Sequence, residues 1–350
     1  MSLELSGTKP SKLPRLGFLG IGWIGRNRMQ ALLASGLGEA CAICDPSPAM
    51  LGAARVVAPT AAATNSLEEL LELKPDGVVI ATPSALHARQ SIQVLKNGSA
   101  AFCQKPLGRD RAEVASVLAA ARSADRLIGV DFCYRHTAAM QAIHDLVRKH
   151  AIGDIYAADL VFHNAFGPDK PWFYDARLSG GGCVMDLGIH LIDLLLWTLG
   201  FPKVCSVKSD LFWNGRSAPN SPNGVEDYAV ATLGLETGIV ARLACSWRLH
   251  AGRHAAIGAT FYGTAGALAF SNVGGSFYDF KTELYRGTDR EILVSPPDDW
   301  GSRALEQWAR RLGSGCGYRS DAEEVAPVAH IIDRIYGLEN NDAACVPANG

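Results

Sequence analysis

Arg15-Leu16-Gly17-Phe18-Leu19-Gly20-Ile21-Gly22-Trp23-Ile24-Gly25 is the stretch that decides the fold of this chain. A short apolar strand, Arg15 to Leu19, runs straight into Gly-x-Gly-x-x-Gly. The segment from Arg26 to Ala34 then has helical character and ends near Gly36. Between a strand and a helix each glycine has a task. Gly20 makes the tight turn, Gly22 lets backbone approach a pyrophosphate, and Gly25 lets helix and strand pack closely. Trp23 and Ile24 complete the loop, and the helix N-terminus attracts phosphate. The next strand, Ala40 to Asp45, ends on an acid about twenty residues beyond Gly25, where a carboxylate accepts hydrogen bonds from the adenosine ribose. That acid also repels a 2′-phosphate, and Pro46-Ser47-Pro48 offers no cation to offset it, so NAD is favoured over NADP. The other reading of Asp45 is a turn-forming acid before proline.

The alternation continues outward from there. Ser66-Leu67-Glu68-Glu69 is a capping box opening a helix to about Leu73. Gly77 to Ala81 is a buried strand ending in Thr82-Pro83-Ser84, and a helix runs from about Ala85 to Lys96, stopped by Asn97-Gly98. Ala100 to Cys103 is a strand ending at Gln104-Lys105-Pro106, Arg111 to Ala124 a helix, and Leu127 to Phe132 the last strand. Such an order predicts a Rossmann-type, doubly wound parallel sheet with its ligand crevice outside the C-terminal strand ends. Gly20, Asp45, Thr82 and Lys105 all fall at those ends.

From about Tyr134 the rhythm changes. Strand-like runs at Ile155–Phe162, Val204–Phe212, Tyr228–Leu235, Ile239–Trp247, Ala256–Gly263 and Ala267–Ser271 follow one another through turns, which predicts a mostly antiparallel sheet. The chain therefore divides into a flexible leader (1–14), a nucleotide-binding domain (15–133), a second domain (134–339) and a disordered tail (340–350). A late helix, about Val325 to Tyr336, is expected near the junction.

Composition excludes several classes. Lys and Arg total 33 against 35 Asp and Glu, and no basic run marks a nucleic-acid face. The first ten residues lack the apolar core of a secretory signal, and the apolar helix around Ile189 to Leu199 is too short to span a bilayer. The nine cysteines are odd in number and irregularly spaced. Cys41 and Cys44 share a strand with side chains on opposite faces, so a reducing, cytoplasmic setting is expected. The histidines lack metal-ligand spacing, and no metal site is implied.

The segment Gly180-Gly181-Gly182-Cys183-Val184-Met185-Asp186-Leu187-Gly188-Ile189-His190 carries the chemistry. On a helix Asp186 and His190 stack one turn apart on one face. An acid beside an imidazole suits proton transfer near neutral pH; the bland alternative is a core histidine satisfied by a nearby acid.

In this order the landmarks resemble the Gfo/Idh/MocA family, the glucose–fructose oxidoreductase and inositol dehydrogenase type. The series comprises the glycine fingerprint, Thr82-Pro83-Ser84-Ala85-Leu86-His87, Gln104-Lys105-Pro106, Tyr134-Arg135, Ile152-Gly153-Asp154-Ile155, Trp172, and Asp186 to Asp193 after the three glycines. The resemblance implies a dehydrogenase or reductase that moves a hydride between NAD(P) and a secondary alcohol or ketone of a sugar, sugar derivative or cyclitol. It implies Lys105, Asp186 and His190 as catalytic residues. By the same resemblance Lys105 holds the reacting oxygen and the nicotinamide ribose together and so belongs to both sites; Thr82, Pro83, His87 and Gln104 join it in the cofactor site, and Tyr134, Arg135, Trp172, Asp186 and His190 in the substrate site, to which His163 is added by its place at a strand end alone. It further implies a cis bond before Pro106, and an open second sheet with helices on one face and the other face pairing homodimers or homotetramers.

Two rival functions stay open: an NAD-dependent glycoside hydrolase of the same fold, and a non-catalytic nucleotide-sensing regulator. The chain departs from the pattern at Gln104, where the family has glutamate, and at His136-Thr137-Ala138 after Arg135. Arg135 is read equally well as a domain-junction salt bridge.

Overall fold

The computed structural model describes residues 13–217 and 224–338. Most of the leader expected at 1–14, and the whole tail expected at 340–350, lie outside the described residues.

Six parallel strands form the first sheet: β1 (Arg15–Leu19), β2 (Glu39–Cys44), β3 (Ala62–Thr64), β4 (Gly77–Ile80), β5 (Ala100–Cys103) and β6 (Ile128–Val130). Their spatial order is β3-β2-β1-β4-β5-β6, so the chain reverses direction across the sheet between β1 and β4, where a crevice opens at the C-terminal strand ends. The crossovers are α1 (Trp23–Ser35), α2 (Pro48–Val57), α3 (Leu67–Glu72), α4 (Ser84–Lys96) and α5 (Arg111–Ala124). Caps explain their starts. Ser66 Oγ accepts from Glu69 N at 3.2 Å, and Asp110 Oδ1 from Glu113 N at 2.8 Å. Helix α2 begins on Pro48, whose missing N–H costs nothing in a first turn.

Among the described residues the second sheet has nine strands: β7 (Ile155–Asn164), β8 (Val204–Trp213), β9 (Arg216–Ser217), β10 (Tyr228–Leu235), β11 (Val240–Ser246), β12 (Ala255–Gly263), β13 (Gly266–Asn272), β14 (Phe280–Arg286) and β15 (Asp289–Val294). They lie in the order β15-β14-β13-β12-β7-β11-β10-β8-β9, antiparallel throughout except for β7 beside β11. Alternation divides each strand. Ala158, Leu160 and Phe162 of β7 are buried beneath helices, while Ala157, Asp159 and Val161 point outward. On the inner face lie α6 (Ala138–Arg148), α8 (Ile189–Leu199) and α10 (Val325–Ile335); α7 (Ala176–Ser179) precedes the glycines, and α9 (Arg303–Gly313) packs on the first sheet. Trp308 of α9 lies across Phe102 and fits only because Gly77 and Gly129 have no side chains: a Cβ there would sit 2.6 and 2.9 Å from its ring.

Two expectations about the apolar segment change. With the turn before it, the helical run Ala176–Leu199 has the length and hydropathy of a membrane span, but 83% of its apolar window is buried inside the protein, and it is a core element. Nor is it one regular helix. Val184–Gly188 is a π-helical turn that passes into α8 at Ile189, so Asp186 and His190 stand on either side of a change in helix type.

Candidate active site

Outside the strand ends lies one cavity of about 920 Å³ that reaches from the glycine turn to α8. Gly20, Gly22, Trp23, Ile24, Asp45, Thr82 and Pro83 line one part of it. His87, Gln104, Lys105, Tyr134, Trp172, Asp186 and His190 line the remainder. Gly25 does not; it serves packing, since a Cβ there would lie 2.0 Å from the Gly20 carbonyl oxygen.

The glycine turn suits a dinucleotide. Gly20 has φ +81°, and a Cβ on it would collide with the Ala81–Thr82 backbone at 2.7 Å. Gly22 opens on free space, and α1 starts there with neither a side-chain cap nor an acid in its first turn. The leading N–H groups are thus left for an anion. Asp45 is fixed at the same mouth: Oδ2 accepts from Ile21 N at 2.8 Å and Oδ1 from Ser47 N at 2.9 Å. Each oxygen keeps a lone pair for a ribose hydroxyl. His87 borders the cavity but directs both ring nitrogens at the protein, Nδ1 at the Pro106 carbonyl (2.6 Å) and Nε2 at the Thr82 carbonyl (2.7 Å). Burial pushes its pKa down, and the ring ties the two loops together.

The Lys105–Pro106 peptide is cis. Lys105 Nζ donates to Asp186 Oδ1 at 2.7 Å and to the Asp186 carbonyl at 2.6 Å. The other carboxylate oxygen, Oδ2, accepts from Trp247 Nε1 at 3.0 Å. Asp186 therefore faces Lys105 and Trp247, and it does not hold the His190 ring. His190 is 7% exposed, packs edge-on to Tyr134 at 4.8 Å, and keeps Nδ1 enclosed without a polar partner. Burial, then the charges of Lys105 and Arg28, hold it well below the usual imidazole range. The ring is neutral at neutral pH. Gln104 turns away from Lys105 and donates to Asp131, which also takes Arg28 Nε at 2.7 Å.

Two expected substrate residues stand outside the cavity. Arg135 forms the junction salt bridge, with Nε 2.9 Å from Asp193 Oδ2 of α8 and a second pair to Glu324. Burial lifts the Asp193 carboxyl to about 6 even against that arginine. His163 points to the outer face of the second sheet, as its register opposite Ser246 demands. Its Nδ1 meets Ser246 Oγ at 2.8 Å, and its ring stacks on Tyr228.

Residues no motif signalled hold the site in place. Buried Glu226 accepts from Gly182 N (3.0 Å), Val184 N (2.9 Å) and Tyr336 Oη (2.8 Å), pinning the start of the π-turn. This crowding explains the glycines. A Cβ on Gly182 would lie 1.9 Å from the Glu226 carbonyl oxygen, and one on Gly181 2.0 Å from Tyr336 Oη.

A family profile described as "Oxidoreductase family, NAD-binding Rossmann fold" matches residues 15–132, and another, "GFO/IDH/MocA C-terminal domain", matches residues 140–269. The D-glucoside 3-dehydrogenase of Escherichia coli (strain K12) is 26% identical, over 76% of this chain and 78% of that protein. The dTDP-3,4-didehydro-2,6-dideoxy-alpha-D-glucose 3-reductase of Streptomyces violaceoruber is 29% identical, over 94% of this chain and 96% of that protein. In fold, the chain superposes on levoglucosan dehydrogenase, solved with NADH and levoglucosan, with a TM-score of 0.80 at 20% identity, covering 93% of this chain and 97% of that one.

Proposed function

The chain belongs to the Gfo/Idh/MocA family of NAD(P)-dependent oxidoreductases, and from that premise we propose that it oxidises a secondary alcohol of a sugar, sugar derivative or cyclitol, or reduces the matching ketone. NAD(P), when bound, supplies the hydride acceptor or donor. Gly20, Gly22 and the start of α1 would hold its phosphates, and Asp45 its adenosine ribose.

The observation that carries the reading is the Lys105 ammonium. An ammonium has three N–H donors; two are committed to Asp186, and one is left for a reacting oxygen in the cavity shared with the glycine turn. That donor would stabilise the negative charge growing on the alcohol oxygen. Neutral His190 would take the hydroxyl proton in oxidation and return it in reduction. Trp172, which lines the cavity and stacks on Phe173 at 3.8 Å, offers an apolar wall of the kind sugar faces use. The relatives' names, each for an enzyme of sugars, support the substrate class.

The test is incubation of the protein with NAD or NADP and a panel of polyols, aldoses, cyclitols and glycosides, followed by absorbance of the reduced nucleotide. Net reduction with a free polyol or aldose is expected. Glycoside cleavage without net NADH would establish the hydrolase instead, and nucleotide binding with neither reaction would establish the regulator.

NAD preference is the finer proposal. Asp45→Ala should narrow the ratio of NAD to NADP turnover, because it removes the charge that repels a 2′-phosphate; an unchanged ratio would place the ribose contact elsewhere. We also propose that the face of the second sheet that no helix covers among the described residues joins two or four copies. Val161, Val230, Ala244 and Gly258 form a small-residue patch at its centre, opposite the helices. Light scattering of the eluting protein should give two or four times 37.3 kDa; a monomer would refute this.

A further inference from the structure

We propose that Trp247 is a positioning residue for the hydride-transfer step: its indole N–H locks Asp186 against Lys105 and ties that pair to the aromatic loop that lines the sugar end of the cavity. This inference rests on the catalytic reading above.

Three observations carry it. First, Trp247 Nε1 is a pure donor aimed at Asp186 Oδ2, the carboxylate oxygen that Lys105 leaves open. An ammonium on one oxygen and an indole on the other fix the carboxylate plane. The plane in turn helps to aim Lys105, whose Nζ bridges Oδ1 of that carboxylate and the Asp186 backbone carbonyl. Without the indole only the Lys105 contact restrains the carboxylate about its terminal torsion, which is broad and soft. Second, Trp247 is 3% exposed and does not line the cavity, so its influence on a substrate must pass through a neighbour. Third, its ring is packed edge-on by Phe173 at 6.4 Å and by Tyr174 at 5.6 Å, two residues of the loop whose Trp172 and Phe173 line the cavity. That loop is anchored at its far side, where Tyr174 Oη donates to the Pro168 carbonyl at 2.9 Å and Arg248 lies over the Tyr174 ring. A sugar seated on Trp172 therefore presses on the same aromatic stack that holds the Asp186 donor. The chain of contacts runs Trp172, Phe173, Trp247, Asp186, Lys105.

The decisive comparison replaces Trp247 by residues that differ in the N–H. Trp247→Phe, or a benzothienylalanine at 247, removes the donor and keeps an aromatic ring; 5-fluorotryptophan keeps both. The first two should lower kcat roughly 10–100-fold, the size of one hydrogen bond to a charged acceptor, with the nucleotide dissociation constant unchanged. The fluorinated protein should retain the wild-type rate. Loss of rate in all three, or in none, would overturn the role of the N–H. Benzothienylalanine has nearly the shape of tryptophan, so it decides the matter should Trp247→Phe fail to fold.

A turnover-free readout separates this inference from the functional reading. The Trp247 indole proton resonance should move in Asp186→Asn, whatever the substrate. If no sugar is turned over but that resonance moves, the functional reading fails and the coupling between the two residues stands. An unmoved resonance overturns the positioning itself.

Discussion

Lys105→Met should abolish hydride transfer while nucleotide binding persists. Methionine keeps much of the lysine stem and fits the same channel, but has no donor. Two losses follow from one change. The free N–H that would meet the developing oxyanion disappears, and one such donor is worth on the order of 10²–10³ in rate. The Asp186 carboxylate, mostly buried, also loses its cation and keeps only the Trp247 indole. Breaking a buried pair from one side is destabilising because it strands a charge, so the melting temperature of the variant should fall as well. Binding is the control. The glycine turn and Asp45 belong to other strand ends, so a fluorescence titration with NADH should give an affinity near that of the wild type. Turnover of any sugar at an undiminished rate would remove Lys105 from the mechanism.

The nucleotide sheet was legible because its signals are local. A strand meeting Gly20, a cap at Ser66 and a stop at Asn97-Gly98 each need only a few residues, and α5 begins and ends where its periodicity places it. Helix α2 was hidden because Pro46 and Pro48 read as a turn, although proline is at home in a first helical turn. Helix α6 and the β14–β15 hairpin carry punctuation just as local, Thr137 capping the first and Gly287 turning the second, yet the sequence reading places no element there. In the site, helical spacing pointed to Asp186 and His190, a strand end and the family resemblance pointed to Lys105, and the fold brings all three to one cavity. Spacing could not say which polar group Asp186 would meet. Its partners arrive from elsewhere in the chain, Lys105 from 81 residues before it and Trp247 from 61 after, and the carboxylate is turned toward them and not toward the His190 ring. Glu226 and Tyr336 were likewise invisible, since the crowding that requires Gly181 and Gly182 exists only in the folded protein. Arg135 and His163 failed as pocket residues for opposite reasons. Asp193 and Glu324 draw the first away, and strand alternation turns the second outward.

His190→Asn should lower kcat/KM by on the order of 10²–10⁴, the range expected for loss of a general base. Asparagine is polar and of similar size, so packing against Tyr134 survives and the chemistry is tested more than the fold. The pH profile makes the test sharper. An exposed imidazole titrates near pH 6.5, but burial, then Lys105 and Arg28, push His190 well below that. The neutral base therefore persists as pH falls through the ordinary imidazole range and is lost only further down. Oxidation by the wild type should show no acid limb at pH 6.5 from this group. An acid limb there that vanished in His190→Asn would contradict the burial argument. Stability obeys the same sign. Below about pH 6.5 the unfolded imidazole binds a proton that the folded one refuses, so the contribution of His190 is present above that pH and wanes as pH falls toward the folded value. His190→Asn should for that reason soften the acid sensitivity of the melting temperature. A core histidine would pass this stability test as well, because it too is buried and neutral. Only the rate separates the two: a variant that loses acid sensitivity yet keeps full turnover has lost a packing residue, whereas one that loses both has lost the base.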